Sequence, residues 1–398
     1  MPNNDVRSRN RTYKRKKNAA KTRRILWGVI IVTVAILIIL KIWEVDFNSI
    51  KRSITQGSEN VVSSSAENIY PYSLDSAKIF DIIPQNDKLN VMTDISCMIF
   101  NPTTGSVDYA YNHGFSNPVM KTAGNYFFVF DQGNDRVRLD NLSEKIYETN
   151  FENAVLCADL SKTGTVIYAV KGKDTKCELY VVNKSLKKEL KYKVNDGYIV
   201  SVAIDDSGKR CAFATINSKN AKLVTTIHTI NIGDKKERAS FNLEETNILD
   251  LHYCEKDLFV VGDNCVSRVT SQKRLKEIFK AGDVNTCCFN YTKYGELVYV
   301  YSKYSSANEN YLTYINSVGK VKTTVELKQK PKYVSSSSNE MTVLFTDKVI
   351  TYSLTDGSVK CSAECDDSVS AVHKLSTKCF ICRHQVIDVL EMKQKEKK

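Results

Sequence analysis

The residues that could carry chemistry stand in few of the patterns that catalysis requires. The sequence has no G-x-S-x-G nucleophile elbow, no H-E-x-x-H zinc motif and no phosphate-binding P-loop. Its five histidines lack ligand-like spacing, although His252 and His373 each fall in an apolar, strand-like run from which a metal site could be built. Buried strand histidines are more often satisfied by hydrogen bonds. We therefore predict no catalytic, cofactor-binding or metal-binding residue.

Two pairs of adjacent reactive residues also have structural explanations. Asp205 and Asp206 could suggest calcium, but their loop lacks the run of oxygen ligands that calcium needs, and a hairpin accounts for them. Cys287 and Cys288 resemble the vicinal disulfide of some quinoprotein dehydrogenases. Those enzymes also share tryptophan-rich docking motifs, whereas this sequence has no tryptophan after Trp43. We predict that the two cysteines are buried strand residues that face opposite ways.

Tyrosine and cysteine are both frequent in this chain. Seven of the 21 tyrosines fall in one region and could form a recognition surface, although packing on a pleated sheet would also select them. Most of the 12 cysteines stand in apolar runs, and Cys379 and Cys382 should point to opposite faces of one strand. We predict small buried apolar residues rather than a disulfide framework. The clustered tyrosines are Tyr291, Tyr294, Tyr299, Tyr301, Tyr304, Tyr311 and Tyr314.

The net charge of +12 comes from the N-terminus and not from the bulk of the chain. Residues 1–24 hold ten basic residues and one acid, which leaves 47 basic and 44 acidic residues elsewhere. A nearly neutral domain has little long-range attraction for polyanions, so we predict no nucleic-acid partner. The basic run is a signal of membrane topology instead.

An apolar run predicts a transmembrane helix over residues 25–43. Its 19 residues would rise roughly 28 Å, close to the ~30 Å hydrocarbon core of a bilayer. Trp27 and Trp43 stand at its two ends and Lys41 can snorkel to the headgroups, so all three are predicted membrane-interface anchors. No small residues follow the run, which favours an uncleaved signal anchor over a cleaved signal peptide.

Charge asymmetry across this run orients the chain. Basic residues are far more frequent before the run than after it, which predicts a cytoplasmic tail over residues 1–24 and an extracytoplasmic C-terminal domain. The polar, small residues within 44–69 predict a stalk, and residues 393–398 form a charged tail. The residues predicted to set the topology are Arg15, Lys16, Lys17, Lys21, Arg23 and Arg24.

Residues 70–392 predict an all-β domain built from a repeat. Short apolar runs recur between clusters of Gly, Asn, Asp and Ser, without lasting helical periodicity. Eight leading runs are 37 to 47 residues apart, and a mean of about 41 is typical of β-propeller blades. A pair of β-sandwiches would not need this period. The central residues of the leading runs are Ile82, Val119, Leu156, Val202, Leu249, Cys287, Tyr333 and Ala371.

Each repeat contains four strands that grade from apolar to charged. The second run is continuously apolar, as in YFFVF at 126–130, which indicates a strand covered on both faces. The fourth run is lysine-rich, as expected of an exposed outer strand. The last repeat lacks a fourth strand, and residues 69–74 could supply it and close the ring. We predict eight four-stranded blades, with seven as the alternative.

One turn in the repeat carries a family likeness. Residues 203–213, AIDDSGKRCAF, resemble the D-x-S-G-K-x-x-A-F turn of TolB-like and quinoprotein-like propellers, and residues 158–168 are similar. In such a turn Asp or Ser accepts backbone hydrogen bonds and Gly takes a positive φ. The layout from residue 7 onward also resembles an uncharacterised clostridial family of unknown function. That resemblance implies a bacterial plasma membrane, and the cysteine usage suits a Gram-positive organism.

These features favour a binding or scaffold protein of the cell envelope, with a protein or a wall polymer as ligand. The bilayer is a predicted partner through residues 25–43, and no cofactor is predicted. An envelope enzyme acting on glycan or peptide is the first alternative, which ionisable residues converging at the channel would favour. A transmembrane sensor is the second, although a tail of 24 residues is too short for a signalling domain.

Overall fold

The structure is a computed structural model that describes residues 69–303, 306–375 and 377–394, with the side chains of 306–308 and 394 left out. These residues form eight antiparallel sheets whose innermost strands contact one another in sequence around a ring. The predicted all-β propeller is therefore confirmed, with eight blades and not seven. The predicted span at 25–43 lies outside the described residues, and no described helix is long and apolar enough to cross a membrane.

The first four blades each use four consecutive strands, ordered from the channel outward. The first described strand is β1 (Tyr72–Ser73). Blade 1 comprises β2 (Ile79–Gln85), β3 (Lys88–Thr93), β4 (Ser96–Asn101) and β5 (Ser106–Asn112). Blade 2 comprises β6 (Pro118–Ala123), β7 (Tyr126–Asp131), β8 (Arg136–Asn141) and β9 (Lys145–Asn150). Blade 3 comprises β10 (Val155–Leu160), β11 (Val166–Lys171), β12 (Cys177–Val182) and β13 (Lys188–Val194). Blade 4 comprises β14 (Tyr198–Ile204), β15 (Arg210–Lys219), β16 (Lys222–Asn231) and β17 (Lys236–Glu244).

The remaining blades repeat the pattern with two variations at the end of the chain. Blade 5 comprises β18 (Ile248–Cys254), β19 (Asp257–Gly262), β20 (Val266–Val269) and β21 (Leu275–Phe279). Blade 6 comprises β22 (Val284–Tyr291), β23 (Leu297–Lys303), β24 (Ser306–Ile315) and β25 (Val321–Leu327). Blade 7 comprises β26 (Tyr333–Ser336), β27 (Glu340–Leu344), β28 (Lys348–Ser353), β29 (Val359–Glu364) and β33 (Lys393–Gln394). Blade 8 comprises β30 (Ala371–Leu375), β31 (Lys378–Cys382), β32 (Val386–Leu390) and β1.

The ring is closed by a strand from the start of the domain. β1 pairs antiparallel with β32, with Tyr72 opposite Ile387. The N–H of Leu74 extends this pairing by donating to the carbonyl of Gln385 at 2.9 Å. The predicted closure by residues 69–74 is confirmed, and it joins the two ends of the domain by backbone hydrogen bonds.

Blade 7 has a fifth strand that the sequence pattern did not indicate. Lys393 and Gln394, placed in the charged tail by their composition, pair with Ser362 and Cys361 of β29. This pairing covers the outer edge of blade 7, which would otherwise present unpaired backbone groups. A two-residue strand is too short to leave a periodic signal in a sequence.

The apolar core is divided among the junctions between blades. The described residues form eight hydrophobic clusters, and each cluster draws its side chains from two neighbouring blades. Strand β7 shows how the sequence achieves this. Phe127 packs toward blade 1 and Phe128 packs toward blade 3, because successive side chains of a strand point to opposite faces. Both faces of a second strand are thus buried, as its continuous apolar run predicts.

The cysteines are free thiols that serve mainly as packing residues. Eight of the twelve are buried. Cys379 belongs to the junction of blades 7 and 8 and Cys382 to that of blades 8 and 1, so their predicted opposite orientation is confirmed. The prediction that Cys287 and Cys288 face opposite ways is wrong. The register of β22 shifts at this pair, and both side chains pack against the junction of blades 6 and 7.

The tyrosines of blade 6 mainly pack rather than form an exposed surface. Tyr299 is fully buried, and its ring stacks on Tyr301, which in turn stacks on Tyr311 at 5.4 Å between centroids. Tyr294 is exposed in a hairpin, while Tyr304 lies outside the described residues. Packing on a pleated sheet therefore explains most of this cluster.

The turn at 205–209 has the hairpin role that its sequence predicts. Asp205 accepts backbone hydrogen bonds from Lys209 and Arg210 at 2.8 and 2.9 Å, and the hydroxyl of Ser207 donates to the same carboxylate. Gly208 adopts φ +68°. Asp206 points away and forms an ion pair with Lys162. The two acids therefore act separately, one as a turn residue and one at the surface.

Replacement of Gly208 by alanine should destabilise the fold by about 1–2 kcal/mol, because an L-residue is strained at positive φ. A new Cβ would also lie 2.9 Å from the hydroxyl of Thr163 in the neighbouring blade. Gly233 is the matched control, since a Cβ there meets nothing within 4 Å. Chemical unfolding of the full chain should show Gly233→Ala within about 0.5 kcal/mol of the parent. Equal effects at both positions would contradict this account of the turn.

Candidate functional site

The innermost strands share an irregularity at the end where each strand begins. In five of the eight described innermost strands one residue has no partner in the adjacent strand, which defines a β-bulge. All innermost strands run in the same direction, so the bulges lie at one mouth of the channel. All five unpaired residues are apolar, and we call them the apolar rim. They are Phe80, Leu156, Val200, Leu249 and Cys287.

Ionisable side chains from four blades converge just inside this rim. Asp81 and Asp250 directly follow rim residues, Asp159 stands three residues after the rim residue Leu156, and Lys121 is the fourth residue of β6, which has no bulge. Burial opposes the charged form of Lys121, but the neighbouring carboxylates, Asp250 first, raise the pKa of this ammonium above its ordinary value. Lys121 of blade 2 thus interacts with acids of blades 1, 3 and 5. We call these four residues the channel charge cluster.

Asp159 is the most perturbed acid of the cluster. Burial raises the pKa of Asp159 to about 6, against the opposing effects of Lys121 and of the backbone N–H of Ile204. That N–H donates to the Asp159 carboxylate at 2.9 Å and ties blade 3 to blade 4. Burial likewise raises the pKa of Asp81. The channel therefore holds carboxylates that are costly to ionise and one ammonium that offsets part of that cost.

Two ring side chains complete the wall beside Asp250. The hydroxyl of Tyr291 donates to the Asp250 carboxylate at 2.8 Å, and its ring stacks on His252 with 3.8 Å between centroids. Burial lowers the pKa of His252 and raises that of Tyr291 well above its ordinary value, so both are neutral at pH 7. They form a rigid wall that orients the carboxylate.

His373, the second histidine in a leading run, has surroundings typical of a packing residue. His373 is buried in blade 8, 3.4 Å from the hydroxyl of Tyr333, and burial lowers the pKa of His373 to about 4. His252 stands in blade 5, away from His373 around the ring. In the part of the chain that the structure describes, no three His, Cys, Asp or Glu side chains are placed to hold a metal ion.

The channel charge cluster can bind a cationic group or transfer a proton. With all four residues ionised it carries a net charge of −2, which favours a positive ligand. An acid whose pKa is about 6 can also donate a proton near neutrality. Sequence motifs missed the cluster because its members come from separate repeats. A signal was nevertheless present, since each leading run involved contains a charge among apolar residues, as in NPVMKT and AVLCADL.

Comparison with known proteins places the chain in a family. The model of a family of unknown function, DUF5711, matches residues 97–392. This chain belongs to the DUF5711 family. The predicted resemblance to an uncharacterised family is confirmed at that level, while the clostridial origin stays a prediction. No curated protein matches this DUF5711 sequence.

Solved structures share the fold of this DUF5711 chain at low sequence identity. The computationally designed protein Ika8 is 10% identical with a TM-score of 0.58, covering 80% of this chain and 97% of its own. Sqt1 of Saccharomyces cerevisiae is 11% identical with a TM-score of 0.52, covering 82% and 98%. BamB from Moraxella catarrhalis is 9% identical with a TM-score of 0.47, covering 78% and 95%. At identities this low, the similarity to Ika8 and Sqt1 supports the propeller fold alone.

The residues that the sequence singled out for the membrane cannot be placed beside this site. The interface anchors Trp27, Lys41 and Trp43 and the basic residues from Arg15 to Arg24 all lie outside the described residues. Their roles stay predictions for this DUF5711 chain.

Asp159 should make the fold less stable as pH rises from about 4 to about 6. Its pKa is higher in the folded chain than the ordinary 3.8, so the folded state binds the proton more tightly and loses this advantage through that window. Asp159→Asn keeps an acceptor for Ile204 and should gain about 2 kcal/mol relative to the parent between pH 4 and pH 7. Unfolding of the full chain at several pH values measures this difference.

Lys121→Met is the paired variant for this experiment. Removing the ammonium takes away a charge that lowers the pKa of Asp159, so the loss of stability with rising pH should become steeper than in the parent. If the free energy of unfolding changed with pH in the same way in the parent and in both variants, the channel charge cluster would not titrate as described.

Proposed function

We propose that this DUF5711 protein is a membrane-anchored binding module of the cell envelope whose ligand, a protein or a wall polymer, docks on the apolar rim. The observation that carries the proposal is the rim itself, an apolar collar above a charged channel on a closed ring. Residues 25–43 would hold the ring at the plasma membrane, with residues 44–69 as a spacer.

Exposure of the rim supports a docking role. Phe80 and Leu249 are 46% and 44% exposed, and Tyr198 at the start of β14 is 54% exposed. Phe80 lies in blade 1 and Leu249 in blade 5, on opposite sides of the channel mouth, and the other three rim residues are half-buried. Large apolar side chains exposed around one mouth are typical of interaction sites. Here they sit on strands fixed by pairing, so little conformational entropy would be lost on binding.

Charge below the rim suggests the kind of group that a ligand inserts. Three carboxylates and one ammonium line the channel behind the apolar collar, which suits an apolar segment that carries a cationic group. A lysine or arginine side chain of a protein has this character, and so does an amino group on a wall peptide or sugar. Both fit the proposed ligand classes.

An envelope hydrolase acting at the channel is the second candidate, and the channel charge cluster is the observation that favours it. Asp159, with its pKa at about 6, could serve as a general acid beside Asp81 or Asp250 as the second carboxylate. The test is whether the protein hydrolyses wall glycan or peptide. Hydrolysis by the parent that is lost in a folded Asp159→Asn variant would favour this candidate over simple binding.

The proposed topology predicts that a protease added to intact cells removes the domain. With tags at both ends of the full chain, cleavage in the stalk at 44–69 should release the C-terminal tag from intact cells and leave the N-terminal tag protected. A variant in which Arg15, Lys16, Lys17, Lys21, Arg23 and Arg24 become neutral should lose this fixed orientation. A C-terminal tag that is cleaved in lysed cells and protected in intact cells would overturn the envelope location.

The rim predicts a face-specific loss of binding. Phe80→Asp combined with Leu249→Asp should reduce retention of envelope protein or isolated cell wall at least tenfold, because charge replaces apolar contact. Val107→Asp combined with Val321→Asp is the control on the outermost strands of blades 1 and 6, where both side chains are 39% exposed. Pull-down and wall sedimentation with the full chain measure retention. Equal losses from both variants, or none from either, would contradict the role of the rim.

A further inference from the structure

The face opposite the apolar rim carries a strongly uneven charge. This face is formed by the hairpins that join the first to the second and the third to the fourth strands of each blade. In blades 3–6 these hairpins hold ten basic and five acidic residues, whereas the described hairpins of blades 1, 2 and 7 hold no basic residue. The basic residues are Lys162, Lys184, Lys187, Lys209, Lys235, Lys256, Lys273, Arg274, Lys293 and Lys320.

A cleft lies within this basic sector, between blades 4 and 5. Four basic side chains line it, together with the hydroxyl side chains of Thr229, Thr270 and Ser271 and without any carboxylate. It opens beside a broader groove that runs toward blade 3 past Lys209 and Lys235, and the carboxylates of Glu189 and Asp234 also line this groove. We call it the basic cleft. Its basic residues are Arg210, Arg238, Lys256 and Lys273.

The two arginines of the basic cleft are held in place by the fold. Arg210 donates from its two terminal nitrogens to the carbonyls of Lys256 and Glu255, both at 2.7 Å, and from Nε to Asp205 at 3.1 Å. Arg238 donates to the carbonyl of Ser271 at 2.7 Å. A guanidinium has five N–H donors, so these bonds fix both groups and leave donors unused. Preorganised donors bind an anion with little loss of side-chain freedom.

The two lysines contribute charge that the protein itself does not neutralise. Lys256 and Lys273 form no ion pair with any described residue. Among the acids near the cleft, Asp205 lies outside the lining but pairs with Arg210 and so offsets one of the four positive charges, while Asp257 pairs with Arg268. Several cations and hydroxyl groups gathered without a carboxylate match the oxygens of a phosphate group.

We propose that the basic cleft binds a phosphate group, with the adjoining groove accepting the rest of a phosphorylated ligand. One phosphate group would enter the cleft while Lys209 and Lys235 contact the part of the ligand that extends beyond it. This site lies on the face opposite the rim and does not depend on the proposed membrane location. Free phosphate and a phosphodiester chain share the chemistry that the cleft recognises.

The test measures phosphate binding to the full chain in a nonionic detergent by calorimetry, at constant ionic strength set with chloride. The parent should bind inorganic phosphate in preference to chloride, and Lys256→Gln combined with Lys273→Gln should weaken phosphate binding at least fivefold. Lys322→Gln combined with Lys360→Gln removes the same charge from exposed positions on β25 of blade 6 and β29 of blade 7, and should change binding less than twofold.

A second arm distinguishes the source of the phosphate. If a polyglycerol phosphate oligomer binds more tightly per phosphate than the free ion does, the ligand is a phosphodiester chain. Lys209→Gln combined with Lys235→Gln should then abolish the gain in affinity. Equal affinity per phosphate assigns the free ion. Equal weakening by the cleft and outer-strand lysine variants, or no preference of the parent for phosphate over chloride, would overturn the proposal. Either result would leave the proposed role of the rim untouched.

Discussion

Every blade of this protein depends on its neighbours to cover both of its faces. The described apolar residues fall into eight clusters, one at each junction, and each cluster is incomplete without side chains from two blades. An open ring would therefore expose two apolar faces at the break. The pairing of β1 with β32 removes that break and completes the cluster of Leu74, Phe100 and Phe380 between the last blade and the first. Closure is thus a condition for the core, and the channel exists only because the ring closes.

Much of this architecture could be predicted from the sequence because the junctions impose a pattern on every repeat. Side chains that alternate between two buried junctions make a continuous apolar run, as in β7, and exposure of the fourth strand makes a charged one. The eight leading runs all correspond to innermost strands. The short strand β33 was missed because two residues carry no period. The orientation of Cys287 was missed because a bulge breaks the alternation on which that prediction depended.

The candidate site could not be predicted in the same way, because it is a product of closure rather than of local sequence. Asp81, Lys121 and Asp250 are separated by one or more whole repeats, and only the ring brings them together. What the sequence did contain was a local conflict, a charged residue within a strand that is otherwise apolar. Such conflicts are costly in a core and are expected where a protein keeps a functional or specifying site. Searching innermost strands for them would have indicated the cluster.

The net charge of this domain does not describe its individual surfaces, because it adds together charges that lie too far apart to act on the same ligand. Outside the first 24 residues the chain is nearly neutral, yet one face gathers ten basic hairpin residues while carboxylates line the channel. Ions in solution screen charges beyond about 8–10 Å, so a ligand at either site responds to its own surroundings and not to the sum. The acidic channel and the basic cleft, at opposite faces of the ring, would therefore attract groups of opposite charge, although composition alone argues against attraction to either.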